Sequence, residues 1–295
     1  MKPTAPFPHR WLPLALAAPQ LALAALFFYW PACKAIWWSL HLERPFGNGS
    51  TFVGLQNYWR VLTDPGVHAS LRATTLFIAG GVGLAVMVAL VLAACASLSL
   101  RGSKLFRHLL IWPYAVAGAV LGVILRYLMS PVAGPLGWLN QLWPGLWAPH
   151  VNSSDALLMV TLAFAWTQIP FNFVIFTAAL QSVPDDYLAA AAIDGAGPLR
   201  RFIDIQLPLL KPFVLFVFVI SMLESFTNSF GIIDTLTRGG PGEATEILSY
   251  KIFSDGFVGL DLSGSSTLSV ILMIGVVMLT FVQFRAFERG QGSVH

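Results

Sequence analysis

Glu224 is the one acidic residue well inside a long apolar run, and Ser225, Thr227, Asn228 and Ser229 follow it. A carboxylate with hydroxyl and amide neighbours at helical spacing can hold a polar solute or a proton. It can equally tie one helix to another, and both roles stay open. The remaining polar inventory is thin. The histidines (His9, His41, His68, His108, His150 and His295) are scattered, with no H-E-x-x-H pattern. Cys33 and Cys95 are isolated in apolar runs and read as small buried hydrophobes, not as a disulfide or a metal pair. No G-x-x-x-x-G-K-[ST] phosphate loop occurs. Gly80, Gly81 and Gly83 have no Lys after them and read as close-packing positions, as do Gly118 and Gly122. Neither a nucleophile elbow nor a carboxylate pair in a plausible cleft is found. The chain is not expected to be an enzyme, and no metal or cofactor is expected within it.

The elements that hold Glu224 follow from composition. Apolar residues make up 56% of the 295 and charged residues 11%, where soluble chains carry about a quarter charged residues. Uncharged runs long enough to cross a bilayer, about 20 residues each, recur along the chain. Spans are expected at about 12–36, 74–99, 108–129, 156–180, 209–231 and 263–286, within a single transmembrane domain covering 1–295. The expected fold is an all-α polytopic membrane protein with six transmembrane helices. Ala15-Leu16-Ala17 and Ala22-Leu23-Ala24 resemble signal cleavage sites. The apolar run before the first is too short and continues past the second, so an uncleaved anchor is expected. Arg126, near the end of the third span, either snorkels to the interface or faces an anionic solute.

Basic residues set the orientation. Lys2 and Arg10 precede the first span. Arg101, Lys104 and Arg107 crowd the second loop, and Arg200, Arg201 and Lys211 the fourth. Arg285 and Arg289 follow the sixth span. The third loop, 130–155, has no Lys or Arg and is rich in Pro, Gly and Trp, as an interfacial turn would be. Both termini are expected to be cytoplasmic. The net charge of +3 is read as topology, not as affinity for nucleic acid.

The fourth loop, about 181–208, carries the densest local signals. Ser182 suits an N-cap, Pro184 a first turn, and Asp185 and Asp186 the positive end of a helix. The alanine run propagates that helix and Gly195 can end it at positive φ. Gly197-Pro198 turns the chain, and a second short helix is expected from Leu199 with Arg200 and Arg201 exposed. Both helices are too short to be stable alone in water, so something must pack on them.

This segment resembles the EAA loop of binding-protein-dependent ABC importer permeases of the maltose-type superfamily, whose pattern is E-A-A, then G, then I-x-L-P. Ala190-Ala191, Asp194-Gly195-Ala196 and Ile205-Gln206-Leu207-Pro208 match it; the position that holds Glu in the family is Ala189 here. Arg10-Trp11-Leu12-Pro13, Pro45-Phe46-Gly47, Trp112-Pro113-Tyr114-Ala115-Val116-Ala117 and Gly256-Phe257-Val258-Gly259-Leu260-Asp261 look like the A-type permeases of the sn-glycerol-3-phosphate importers.

The resemblance implies a type I importer permease working by alternating access, for sn-glycerol-3-phosphate or glycerophosphodiesters. It implies a second homologous permease subunit, two ATP-binding subunits holding ATP and Mg, and an extracytoplasmic substrate-binding protein, in a bacterial inner membrane. Asp186, Ala189, Ala190, Ala191, Asp194, Gly195, Ala196, Gly197, Arg200, Arg201, Leu207 and Pro208 would form the ATPase-coupling loop. Glu224, Asn228 and Arg126 are translocation-path candidates. Gly239, Gly240 and Pro241 match a family T-x-G-G-P turn and are candidates for contact with the binding protein. The alternatives are the same architecture importing a sugar or oligosaccharide, and an ion-coupled secondary transporter.

Overall fold

A computed structural model describes residues 11–43, 49–97, 110, 116 and 118–291. The basic cluster Arg101, Lys104 and Arg107, the Trp112 to Ala115 motif and most of the first half of the third span lie outside the described residues. Five described helices are long and apolar enough to cross a membrane: Leu14–Ser39, Pro65–Ser97, Ser153–Gln181, Pro198–Thr227 and Leu262–Arg285. Gly118–Leu128 is a shorter apolar helix. An exception to the all-helical expectation is a small antiparallel hairpin, His41–Glu43 with Ser50–Phe52, in register His41 to Phe52. The chain divides into two compact units, 1–63 with 252–272, and 64–251 with 273–295.

In the first of these units, polar contacts tie the chain together around the hairpin. Asn57 Nδ2 donates to the carbonyls of Ser39 and His41, both at 3.0 Å, and is buried. The Glu43 N–H donates to Ser263 Oγ at 2.8 Å. Arg60 pairs with Asp261 at 2.9 Å, and Asp261 also accepts from the Gly264 N–H at the start of the last long helix. The 14–39 helix buries none of its apolar window within this chain. Phe27, Phe28, Tyr29 and Trp30 all point outward.

In the second unit the Pro65–Ser97 and Ser153–Gln181 helices form the backbone of the packing. Gly81, Ala85, Ala89 and Ala93 recur every four residues along one buried face. Small residues at that spacing let two helices approach closely where lipid offers no hydrophobic driving force. A Cβ on Gly81 would sit 2.9 Å from the Phe164 ring, and one on Gly80 3.1 Å from Thr161 Cγ2. Gly83 faces open space and has no packing role. Ala89 and Ala93 share a core with Phe173, Phe176, Leu210 and Val217. Phe77, Phe164, Met159, Ile232 and Ile233 form a second core.

Cys33 and Cys95 are exposed on this chain, not buried as their apolar surroundings had implied. In a bilayer the outer faces are as apolar as the core, so a hydrophobic run does not tell inside from outside. The Pro65–Ser97 helix also begins well before the uncharged run at 74. Its first turns carry His68 and Arg72, since helical hydrogen bonding continues beyond the apolar segment.

Candidate functional site

The 153–181 helix ends with Ser182 as its C-cap, the Ser182 Oγ donating to the Ala179 carbonyl at 2.7 Å. Ser182 therefore does not cap the helix that follows. Its hydroxyl is turned back, and Pro184, extended at ψ 132, occupies the N-cap of Asp185–Ile193. Asp185 and Asp186 lie in the first turn, where the helix dipole favours them. The far end closes as a Schellman motif. Gly195 takes φ +80, its N–H donates to the Ala192 carbonyl at 3.1 Å, and the Ala196 N–H donates to Ala191 at 2.9 Å.

The second half differs from the expected pair of separate helices. Pro198–Arg201 begins at Pro198 and runs through a π turn, Phe202–Gln206, into Leu207–Thr227, so residues 198–227 are one continuous helix. The π turn explains how Pro208 is tolerated. A proline removes a backbone donor and crowds the carbonyl four residues back, here Asp204, within the widened stretch.

No residue of Asp185–Ile193 is buried. Ile193 is 88% exposed and Leu199 72%. Ile193 at the end of this helix and Leu199 just beyond the turn thus present large apolar side chains that no described residue covers. Ala189 and Ala190 are exposed on the helix, and Asp194, Gly195 and Gly197 form its far rim. Arg200 pairs with Asp204 at 3.3 Å in solvent, a contact that contributes little.

Glu224 stands in the last turn of the 207–227 helix. The helix breaks at Asn228, whose N–H donates to the Glu224 carbonyl at 2.9 Å, and resumes as Ser229–Leu236. The fifth span expected to run unbroken over 209–231 is thus interrupted near its end. Asn228 Nδ2 donates to the Glu224 carboxylate, which offsets the unfavourable placement of an acid at the negative end of a helix. Both residues line a cavity of about 490 Å³ with Thr167, Gln168, Gly118, Thr227 and Gly231. One turn along the helix from Gln168, Asn172 is fully buried; its Oδ1 accepts from Ser221 Oγ at 3.1 Å and its Nδ2 has no partner among the described residues. The cavity keeps its shape because the 118–128 and 229–236 helices pack through glycines. A Cβ on Gly122 would collide with Thr235 Oγ1, and one on Gly231 would lie 3.3 Å from the Ala119 nitrogen.

Arg126 does not reach that cavity. It lines a second one, of about 240 Å³, with Pro149, His150, Thr237, Arg238, Gly240 and Pro241. The turn from Thr237 to Thr245 is internally bonded: the Thr245 N–H donates to the Gly239 carbonyl at 3.0 Å and the Thr245 Oγ1 to Gly240 at 2.9 Å. Gly239 is buried at φ +81, where a Cβ would lie 3.1 Å from the Tyr250 ring, and the Gly240–Pro241 peptide is cis. Burial, and then the Asp234 charge, raise the Tyr250 hydroxyl above its usual pKa, and it donates to Asp234 Oδ1 at 3.2 Å.

The structure thus gathers Glu224 with Asn228, and Arg126 with Gly240 and Pro241, in two separate cavities. Sequence reading missed Gln168 and Asn172, four residues apart on one helix face; that spacing in an uncharged apolar run was the available signal. It also missed His150 and Arg238. No local pattern joins them to Arg126.

Comparisons with known proteins follow the same lines. The family model described as binding-protein-dependent transport system inner membrane component matches residues 14–292. The chain is 46% identical over 290 residues, 98% of both chains, to the sn-glycerol-3-phosphate transport system permease protein UgpA of Yersinia pestis bv. Antiqua (strain Antiqua). It is 45% identical over 283 residues, 96% of this chain and 97% of the other, to the protein of that name from Brucella abortus biovar 1 (strain 9-941). Among solved structures, a chain of a bacterial ABC transporter involved in the import of the acidic polysaccharide alginate superposes with a TM-score of 0.80 at 16% identity. The match covers 95% of this chain and 96% of that one.

Proposed function

The chain belongs to the binding-protein-dependent transport system inner membrane components, and from that premise we propose that it carries sn-glycerol-3-phosphate or glycerophosphodiesters inward. It is a multi-pass membrane transport component and not an enzyme. The observation that carries the substrate reading is 46% identity, over nearly the whole of both chains, to a permease named for that solute. The lining of the larger cavity supports it. Thr167, Gln168, Thr227, Asn228 and Glu224 offer hydroxyls, amides and a carboxylate to the hydroxyls of a glycerol moiety.

The working unit would add a second homologous permease, two ATP-binding subunits that hold ATP and Mg, and an extracytoplasmic binding protein, in a bacterial inner membrane. With both termini and the 181–208 loop cytoplasmic, the Asp185–Ile193 helix would be gripped by an ATP-binding subunit. Because 198–227 is one helix, displacement of that grip would pass along it to Glu224 and Asn228. Nucleotide can shift the inward–outward equilibrium only by binding the two states unequally, and this helix is where that difference would enter. Gly239, Gly240 and Pro241 would shape the outer surface that receives the binding protein.

The test is uptake by the complete reconstituted complex in liposomes. Binding-protein-dependent and ATP-dependent accumulation of labelled sn-glycerol-3-phosphate, competed by glycerophosphocholine and not by maltose, is the expected result. Accumulation of a sugar in place of the phosphate ester would overturn the substrate reading. Uptake driven by an ion gradient without ATP would overturn the mechanism.

A further inference from the structure

The 240 Å³ cavity has a character that the larger one lacks. Arg126, His150 and Arg238, from three separate segments, line it, and among the described residues no carboxylate does. Four acids lie on the same segments, Asp155, Asp234, Glu243 and Glu246, and none of them lines the cavity. Asp155 accepts from the Ala148 N–H at 2.9 Å, and Asp234 accepts from the Tyr250 hydroxyl at 3.2 Å. Arg126 makes one long hydrogen bond among the described residues, Nη1 to the Thr235 carbonyl at 3.4 Å, out of the five N–H donors of a guanidinium. His150 is held by a braced loop, in which Trp147 exchanges two hydrogen bonds with Asn140 and donates its indole N–H to Met129 O.

Arg238 supplies the second argument. It adopts φ +51 where the 229–236 helix ends, the left-handed position that glycine fills without strain. Its N–H closes that helix on the Ile233 carbonyl at 2.8 Å, a role glycine would fill with less strain, so the backbone does not require the guanidinium. Two permanently charged guanidiniums beside an imidazole suit a phosphate, which arginine holds through paired N–H donors.

We propose that Arg126, Arg238 and His150 form a receiving site for the phosphate group of the transported ester, on the outer side of the permease. The proposal rests on the substrate reading above and gives the two cavities different tasks. The outer one takes the anionic end as the solute leaves the binding protein, and the Glu224 cavity takes the hydroxyl end. The outer cavity's volume is several times the roughly 30 Å³ that a water occupies in the liquid.

The experiment uses the complete complex in liposomes with labelled sn-glycerol-3-phosphate. Arg238→Gly removes the charge at a position glycine prefers, so folding is not at risk, and Arg126→Gln removes the other. Each variant is expected to raise the uptake KM about tenfold, the pair more than either, with assembled complex unchanged and partial recovery in Arg126→Lys. An unchanged KM in the pair, with wild type importing normally, overturns this proposal alone. A wild-type complex that imports no phosphate ester overturns the substrate reading and this site with it. The measurement is repeated in pure phosphatidylcholine and with phosphatidylglycerol added. A KM effect confined to the anionic lipid would assign the cavity to a lipid headgroup and overturn the proposal.

Discussion

Asn228 donates a side-chain hydrogen bond to the Glu224 carboxylate one helical turn before it, at the point where the 207–227 helix breaks. The acid is thereby turned along its own helix into a cavity, and among the described residues its carboxylate bonds to no other helix. Glu224→Gln keeps the shape and removes the charge. The expected outcome is normal assembly with transport per assembled complex reduced about tenfold, the scale of one hydrogen bond to a charged group. Quantifying assembled complex beside uptake checks it. Lost assembly with unchanged transport per complex would make Glu224 a structural contact.

Gly195 at φ +80 has nothing within 4 Å of where a Cβ would stand. Substitution there meets conformational strain and no collision, about 1 kcal/mol or more and greatest for β-branched residues. Gly195→Val is expected to leave membrane levels near normal and to abolish substrate-stimulated ATP hydrolysis in the full complex. Gly195→Asn, which tolerates the left-handed region, should retain most of it. Normal transport by the valine variant would remove this loop from the coupling path.

Ala189 is exposed on the Asp185–Ile193 helix, so a larger side chain has room. Ala189→Glu, which restores the family residue, is expected to fold normally and to bind the ATP-binding subunit as tightly or more tightly in a pull-down titration. Weaker binding would mean that the alanine is required by this chain's own partner.

Gly122 packs against Thr235 so closely that any Cβ collides. Gly122→Val is expected to cost about 1–3 kcal/mol through overpacking and to lower the amount of folded permease extracted from membranes. Gly83→Ala, which points into open space, should change nothing. Equal loss in both would show that the Thr235 contact does not set the outcome.

The orientation can be checked at two exposed sites. Gly197 lies in the fourth loop and Val132, 91% exposed, in the third. In a cysteine-free background, Val132→Cys is expected to react with an impermeant thiol reagent on intact cells whose outer barrier has been opened. Gly197→Cys should react only after the inner membrane is broken. The reverse pattern would invert the topology.

What the sequence determined by itself was local or compositional. Apolar run length pointed to helices able to cross a bilayer, because a bilayer leaves no alternative for the backbone, while the helices at 65–97 and 198–227 run beyond the uncharged stretches. The alanine run and Gly195 fixed a short helix and its stop, because a Schellman closure involves only neighbours. Even locally, competition blurred the outcome: Ser182 had two helix ends within reach and bonded the earlier one. The tertiary structure alone decided which polar residues share a space. Arg126, His150 and Arg238 come from segments far apart in the chain, and Gln168 meets Glu224 only because two helices cross there. Gly81, Gly122 and Gly231 let the neighbouring helix pairs pack closely, and their partners too lie on other helices. Sequence spacing records which residues share a helix face; it does not record which faces meet.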